Sequence, residues 1–217
     1  MSWSSRLAPI AVLTALTLGF AADTAAAQHI DEGDAPSGRP AGYATMPAVM
    51  GAFPTPAGAG GPRHASGALR LGPRWRRDDG ADTGRLRRCA ASTVEVLIDA
   101  RRLSPAQARG EAVLNAWFDW NRDGDWADAD GCAAEWAIPN LRVRLSELGS
   151  DRLGLLPVEI RGGAQVEELW TRFTLTLGQD AVRRDGGGAA QPYTHGETED
   201  ILLLPGNGTA AFGRERA

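Results

Sequence analysis

Asp119-Trp-Asn121-Arg-Asp123-Gly124-Asp125-Trp126 places oxygen-bearing side chains at every second position, with a glycine where a loop must turn. Calcium takes six to eight oxygen ligands, and a D-x-[DN]-x-D-G loop delivers several of them from few residues. With Asp119 as position one, Asn121 and Asp123 take three and five and Gly124 takes six. Asp125 at seven offers its backbone carbonyl, and Asp128 and Asp130 follow at ten and twelve. An EF-hand needs a bidentate Glu at twelve and a helix ahead of the loop. Here the twelfth residue is the shorter Asp130, and Trp117-Phe118 continue a strand pattern. The expectation is therefore a strand-borne cation loop with Asp119, Asn121, Asp123, Asp125 and Asp130 as ligands. Calcium is the expected ion, ahead of magnesium. The competing reading is a turn with solvated carboxylates, because Asp and Asn favour turns without any metal. Five anions in twelve positions, with Arg122 the one cation among them, favour a divalent ion over that turn.

Trp117, Trp120, Trp126 and Trp136 surround the loop. Trp120, Trp126 and Trp136 are the candidates for a sugar-binding platform. The alternative use of such rings is packing at the loop's base. A second acidic cluster, Gly196-Glu197-Thr198-Glu199-Asp200, enters the apolar run Ile201-Leu-Leu-Leu204. On a strand Glu197 and Glu199 point one way, and Thr198 and Asp200 the other. Glu197, Glu199 or Asp200 is expected to fold back and supply the ligand that the loop's last position lacks, with Glu199 assigned to the metal set. Glu197 or Glu199 with Asp119 would also make the carboxylate pair of a glycan hydrolase, but cation ligands look the same. His29, His64 and His195 are the histidines, and there is no G-x-S-x-G elbow, so nucleophilic catalysis has no support.

The elements that must position these residues are strands. Ser92–Ile98 alternates and is β-branched, and Ala112–Phe118 runs straight into the acidic loop. Asn140–Leu145, Leu155–Arg161, Trp170–Leu177 and Glu199–Leu204 follow, with a brief helical turn expected at Ser104-Pro105. Short strands with Gly-rich turns and almost no helical period predict an all-β fold, an antiparallel β-sandwich of jelly-roll-like form. Residues 28–88 are rich in Gly, Pro, Ala and Arg and predict an irregular arm, its part up to about Pro62 draped on the domain or serving as a linker, before a sandwich at 89–205 and a frayed tail at 206–217. Within that arm, 63–88 carry eight Arg against three Asp. A solvated loop explains such a run more simply than an acidic glycan partner does.

Residues 1–27 read as a secretory signal peptide: Arg6, an apolar run from Leu7 to Phe20, then Ala25-Ala26-Ala27 before Gln28. No later apolar run is long enough to cross a bilayer. The formal charge is -4 and remains so after loss of Arg6 and Asp23, which gives no global case for nucleic acid or an anionic membrane. The chain has no Lys, so its Arg clusters reflect composition more than binding. In an exported chain Cys89 and Cys132 are expected to pair, closing a loop worth about 4 kcal/mol on the chain-entropy model.

The late Gly196-Glu197-Thr198-Glu199-Asp200 resembles the G-E-V-E-D signature of the GEVED domain family, departing only at Thr198. The block from Leu114 to Trp126 resembles that family's L-x-A-W-I-D-x-N-x-D-G-D-W pattern. Gly33-Asp34-Ala35-Pro36 is similar to its D-x-G-D-A-P opening, and His64, Leu71-Gly72 and Asp78-Asp79-Gly80 are similar to the segments that follow it. The resemblance implies a sandwich-like accessory module of secreted or surface-attached bacterial proteins, with no established catalytic activity. The expected function is a secreted, periplasmic or cell-surface adhesion or interaction module, non-catalytic and calcium-stabilised, whose partner is an extracellular protein or glycan. A carbohydrate-binding module is the alternative and a glycan hydrolase the third reading.

Overall fold

Two antiparallel sheets, packed face to face, make up the body of the protein. The computed structural model describes residues 33–55, 60–72, 81–83, 85–181 and 183–205. The expected signal peptide, the expected tail and Asp78-Asp79-Gly80 lie outside them. In chain order the strands are β1 (Ser37–Pro40), β2 (Met50–Ala52), β3 (Arg70–Leu71), β4 (Ala81–Asp82), β5 (Ala91–Asp99), β6 (Glu111–Phe118), β7 (Trp136–Arg144), β8 (Leu153–Arg161), β9 (Leu169–Leu177) and β10 (Gly196–Leu203). One sheet runs β10-β9-β6-β7. In the other, β5 pairs β8 on one side and β3 and β4 on the other. No helix among the described residues is long and apolar enough to cross a membrane.

Period-two alternation builds the core between the sheets. Val94, Val96 and Ile98 of β5 and Ile160 of β8 meet Leu114, Ala116 and Phe118 of β6 and Phe173 and Leu175 of β9. Each large side chain buried this way contributes about 1.5–3 kcal/mol. The connector before β6 makes a short 3-10 turn at Gln107–Arg109 rather than a longer helix. Ser104 and Gln107 exchange hydrogen bonds there, Gln107 N to Ser104 Oγ and Ser104 N to Gln107 Oε1.

The other face of the first sheet is buried too. Trp117 of β6 packs with Phe53, Trp126 and Ala35 in a second, smaller core. Arg172, Thr174 and Thr176 of β9, which alternation alone would send to solvent, are all buried there. The cover comes from residues 33–55, where β1 pairs β2, and from the loop after β9. The described part of the expected arm is thus draped on the domain, its regular structure limited to the short strands β1 to β4. Tyr43, Phe53 and Leu69 are buried, and β3 is hydrogen-bonded to β5. Residue 89 is therefore not the start of the sandwich. The segment hid because its apolar residues act singly, as plugs in a surface, and leave no periodicity to read.

The Cys89–Cys132 disulfide forms as expected, with a Cα–Cα distance of 5.1 Å. It ties the approach to β5 to the loop between β6 and β7.

Candidate metal centre

The acidic loop leaves β6 at Phe118 and returns into β7 at Trp136, so the sheet fixes both of its ends. Trp117 pairs with Trp136 across the hairpin, and Phe118 N donates to Glu135 O at 2.9 Å. Asp119 N donates to Trp170 O, which holds the first acidic residue against β9. Its carboxylate then organises the turn. Asp123 N donates to Oδ1 at 3.0 Å, and Gly124 N to Oδ2 at 3.0 Å. Tyr43, from the N-terminal segment, donates its hydroxyl to the same Oδ2. Oδ2 thus has two donors and Oδ1 one, which leaves Oδ1 a lone pair for a cation. Gly124 has φ +96°, and a Cβ there would lie 2.4 Å from Met50 O, so no other residue fits.

Asp119, Asp123 and Glu135 each offer a carboxylate oxygen, and these oxygens lie within 4.8 Å of one another. Calcium–oxygen distances of about 2.3–2.6 Å fit such a group around one ion. Asp119 and Glu135 are fully buried, whereas Asp123 is exposed and forms the mouth. Glu135 Oε1 is buried with no hydrogen-bond partner, and Oε2 has a 3.4 Å contact from Asp128 N. Burial, then the Asp119 and Asp128 charges, push the Glu135 carboxyl up to about 9. Burial also raises Asp119 to about 6, against the Tyr43 and Gly124 hydrogen bonds that favour its charge. Burial and then the Asp119 charge push the Tyr43 hydroxyl upward, so it stays a donor. Such a carboxyl keeps its proton at neutral pH, and a cation that displaced the proton would let it ionise beside the other two.

Of the expected carboxylate ligands, Asp119 and Asp123 belong to this group, and Asp130 and Glu199 do not. Asn121 turns its amide NH2 toward the Asp123 and Asp128 carboxylates, bracing them instead of ligating. Asp125 Oδ1 accepts from Ala127 N, closing a local turn, and its expected contribution, the backbone carbonyl, does not involve that side chain. Asp130 is taken up by backbone donors: Cys132 N and Ala133 N on Oδ1, and Ala164 N on Oδ2. Burial opposes ionisation of Asp130, but those amides outweigh it and hold its carboxyl below the usual range. Arg122 does not offset the loop's charge either, because it pairs with Glu168 at 3.1 Å.

Glu199 does not fold back to the loop. It sits on β10 opposite Phe173, two strands from β6 and so about 10 Å across the sheet. The late acidic motif has structural uses. Glu197 Oε2 accepts from Leu71 N at 2.6 Å, and Asp200 pairs with Arg172. Thr198 shares its hydroxyl with His64 Nε2 and Thr174. Glu135, not Glu199, is the carboxyl that joins Asp119 and Asp123. The signal for it was the hairpin itself, because pairing Trp117 with Trp136 sets Glu135 beside Asp119.

The expected sugar platform does not form. Trp120 is buried in the main core, stacked on Phe118 at 4.5 Å, and Trp126 is buried against Phe53 at 4.4 Å. Trp136 is half-buried and stacks on Trp117. These rings pack the loop's base because indole carries a large apolar area with a single donor to satisfy. Trp120 Nε1 meets that need on Ala134 O, and Trp136 Nε1 on Asn115 Oδ1. The chain matches no known family model, no curated protein and no solved structure.

Proposed function

We propose that this chain is an exported, non-catalytic interaction module whose Asp119–Glu135 loop is stabilised by calcium. The observation that carries the reading is Glu135 Oε1, buried without a donor and grouped with Asp119 and Asp123. An oxygen-only set with an exposed mouth suits a hard cation of variable coordination, calcium before magnesium. Three protein carboxylates leave several positions for water, so the affinity belongs to the weaker extracellular range. The disulfide and the expected signal peptide fit an oxidising compartment. The likeness of the Leu114–Trp126 and Gly196–Asp200 stretches to GEVED domains supports an accessory role on a bacterial surface. The burial of Trp120 and Trp126 weighs against the carbohydrate platform. The tie of Glu197 to Leu71 weighs against a hydrolytic carboxylate pair.

Calorimetric titration of the disulfide-bonded protein with calcium, with Asp119→Ala and Glu135→Gln as controls, tests the reading. Saturable binding at up to millimolar calcium, abolished in both variants, is the expected result. An absence of binding by the unmodified protein removes the cation from the proposal.

A further inference from the structure

The N-terminal segment is fastened to the cation loop at three separate points. Tyr43 donates to Asp119 Oδ2, the same carboxylate that offers a ligand oxygen. Ala52 N donates to Gly124 O at 2.7 Å, beside the place where Gly124 lacks a Cβ under Met50 O. Arg122 Nη1 donates to Thr45 Oγ1 at 2.9 Å, and it reaches Glu168, which in turn accepts from the amides of Ala44 and Thr45. Asp119, Arg122 and Gly124 all belong to the loop, and two of them sit at positive φ. A change in the loop's backbone therefore moves every one of these anchors at once.

Beneath the segment lies an aromatic face. Phe53 packs on Trp126 and Trp170, and Trp170 Nε1 donates to Ala41 O. The main core between the sheets, built from β3 and β5 to β10 with their connections, contains no residue of 41–53. The segment can lift without dissolving the sandwich, and lifting it bares Trp126 and Trp170.

We infer that cation binding at Asp119, Asp123 and Glu135 and docking of residues 41–53 are one coupled equilibrium, so that calcium straps the N-terminal segment over the aromatic face. The inference rests on the cation reading above. Without an ion, nothing draws the Asp119, Asp123 and Glu135 oxygens together and Glu135 Oε1 stays unpartnered, so the loop and its anchors loosen together. With the ion bound, Asp119 is fixed where Tyr43 meets it. Linkage makes the effect reciprocal, so a docked strap raises calcium affinity by the factor by which calcium favours docking.

Amide hydrogen exchange of the disulfide-bonded protein, with calcium and with chelator, reads the coupling, and calorimetry reads binding. Exchange across 41–53 is expected to slow by about tenfold or more in calcium, within the usual range of coupling between sites. Amides of β5 should change less. Tyr43→Phe removes the shared hydroxyl and is expected to shrink that protection and weaken calcium binding by a similar factor. Calcium binding with unchanged exchange across 41–53 would overturn the strap while leaving the cation site standing. No calcium binding at all would overturn both. Equal slowing in Tyr43→Phe and the unmodified protein would overturn the role of Tyr43 as the link.

Discussion

Arg172 and Asp200 form a two-pronged ion pair across β9 and β10, both N–O distances being 2.7 Å, and neither side chain reaches solvent. The guanidinium also donates to the carbonyls of Pro54 and Gly186 and lies 4.5 Å from the Trp126 ring centroid. Asp200 accepts from Ala35 N in turn. One pair thus stitches the N-terminal segment, the loop after β9 and two strands together. Removing one partner strands a buried charge, which costs about 3–5 kcal/mol. Arg172→Met is expected to lower unfolding free energy by that amount in urea titrations. Arg142→Met, which breaks an exposed pair with Asp180, should cost under about 1 kcal/mol.

Glu135→Gln keeps the shape of the side chain and removes its capacity to ionise toward a cation. In chelator its melting temperature should match or exceed that of the unmodified protein. The unmodified protein should gain about 2.7 kcal/mol at a calcium concentration one hundred times its dissociation constant. The variant should gain none. Scanning calorimetry in chelator and in calcium measures both arms, and an equal calcium gain in the variant would remove Glu135 from the ligand set.

Acid sensitivity has an identifiable source in His64. Burial, then the Arg172 charge, lower its pKa to about 3 from an ordinary value near 6.5. Above pH about 6.5 it is neutral folded and unfolded, so its contribution there is constant. As pH falls below that, the unfolded chain binds a proton that the folded protein refuses. Stability is then lost at up to about 1.4 kcal/mol per pH unit until the folded pKa is reached. His64→Gln retains a partner for Thr198 without titrating. The difference between the two stability–pH curves should slope between pH about 6.5 and 3 and be flat above it; a flat difference throughout would exclude His64.

Replacing both cysteines by alanine opens a 43-residue separation and is expected to cost about 4 kcal/mol. Cys132, three residues before Glu135, supplies one of the backbone donors that hold Asp130. Calcium affinity should fall in that variant as well, which calorimetric titration would show. An unaltered affinity would mean that the β6–β7 hairpin alone positions Glu135.

Trp126→Ala and Trp120→Ala distinguish packing rings from ligand-binding rings. Each should lower stability by about 3–5 kcal/mol, as deletion of a buried aromatic does. A variant that keeps full stability would return its ring to the surface.

The long strands were legible because each buries one face against its partner sheet, and that leaves an alternating imprint, as in Val94, Val96 and Ile98. Cysteine pairing and the turn at Gly124 were legible for similarly local reasons. The ligand set was legible only in part. Spacing marked Asp119 and Asp123, but it could not tell a carboxylate that joins the acidic group from Asp130, which faces three backbone amides.

The sequence by itself determined an antiparallel sandwich carrying an acidic loop at a strand's end, because alternation and loop chemistry are properties of neighbouring residues. Tertiary structure alone decided which carboxylates meet. Glu135 lies sixteen residues beyond Asp119 and reaches it through the pairing of β6 with β7, while Glu199 is held away on β10. It also decided that β9 has no solvent face. Arg172, Thr174 and Thr176 look like an exposed row, yet Tyr43, Phe53 and their neighbours close over that side of the sheet. Such cover depends on where a distant, aperiodic segment comes to rest, and the long-range hydrogen bonds of Asp119 and Asp200 fix that place.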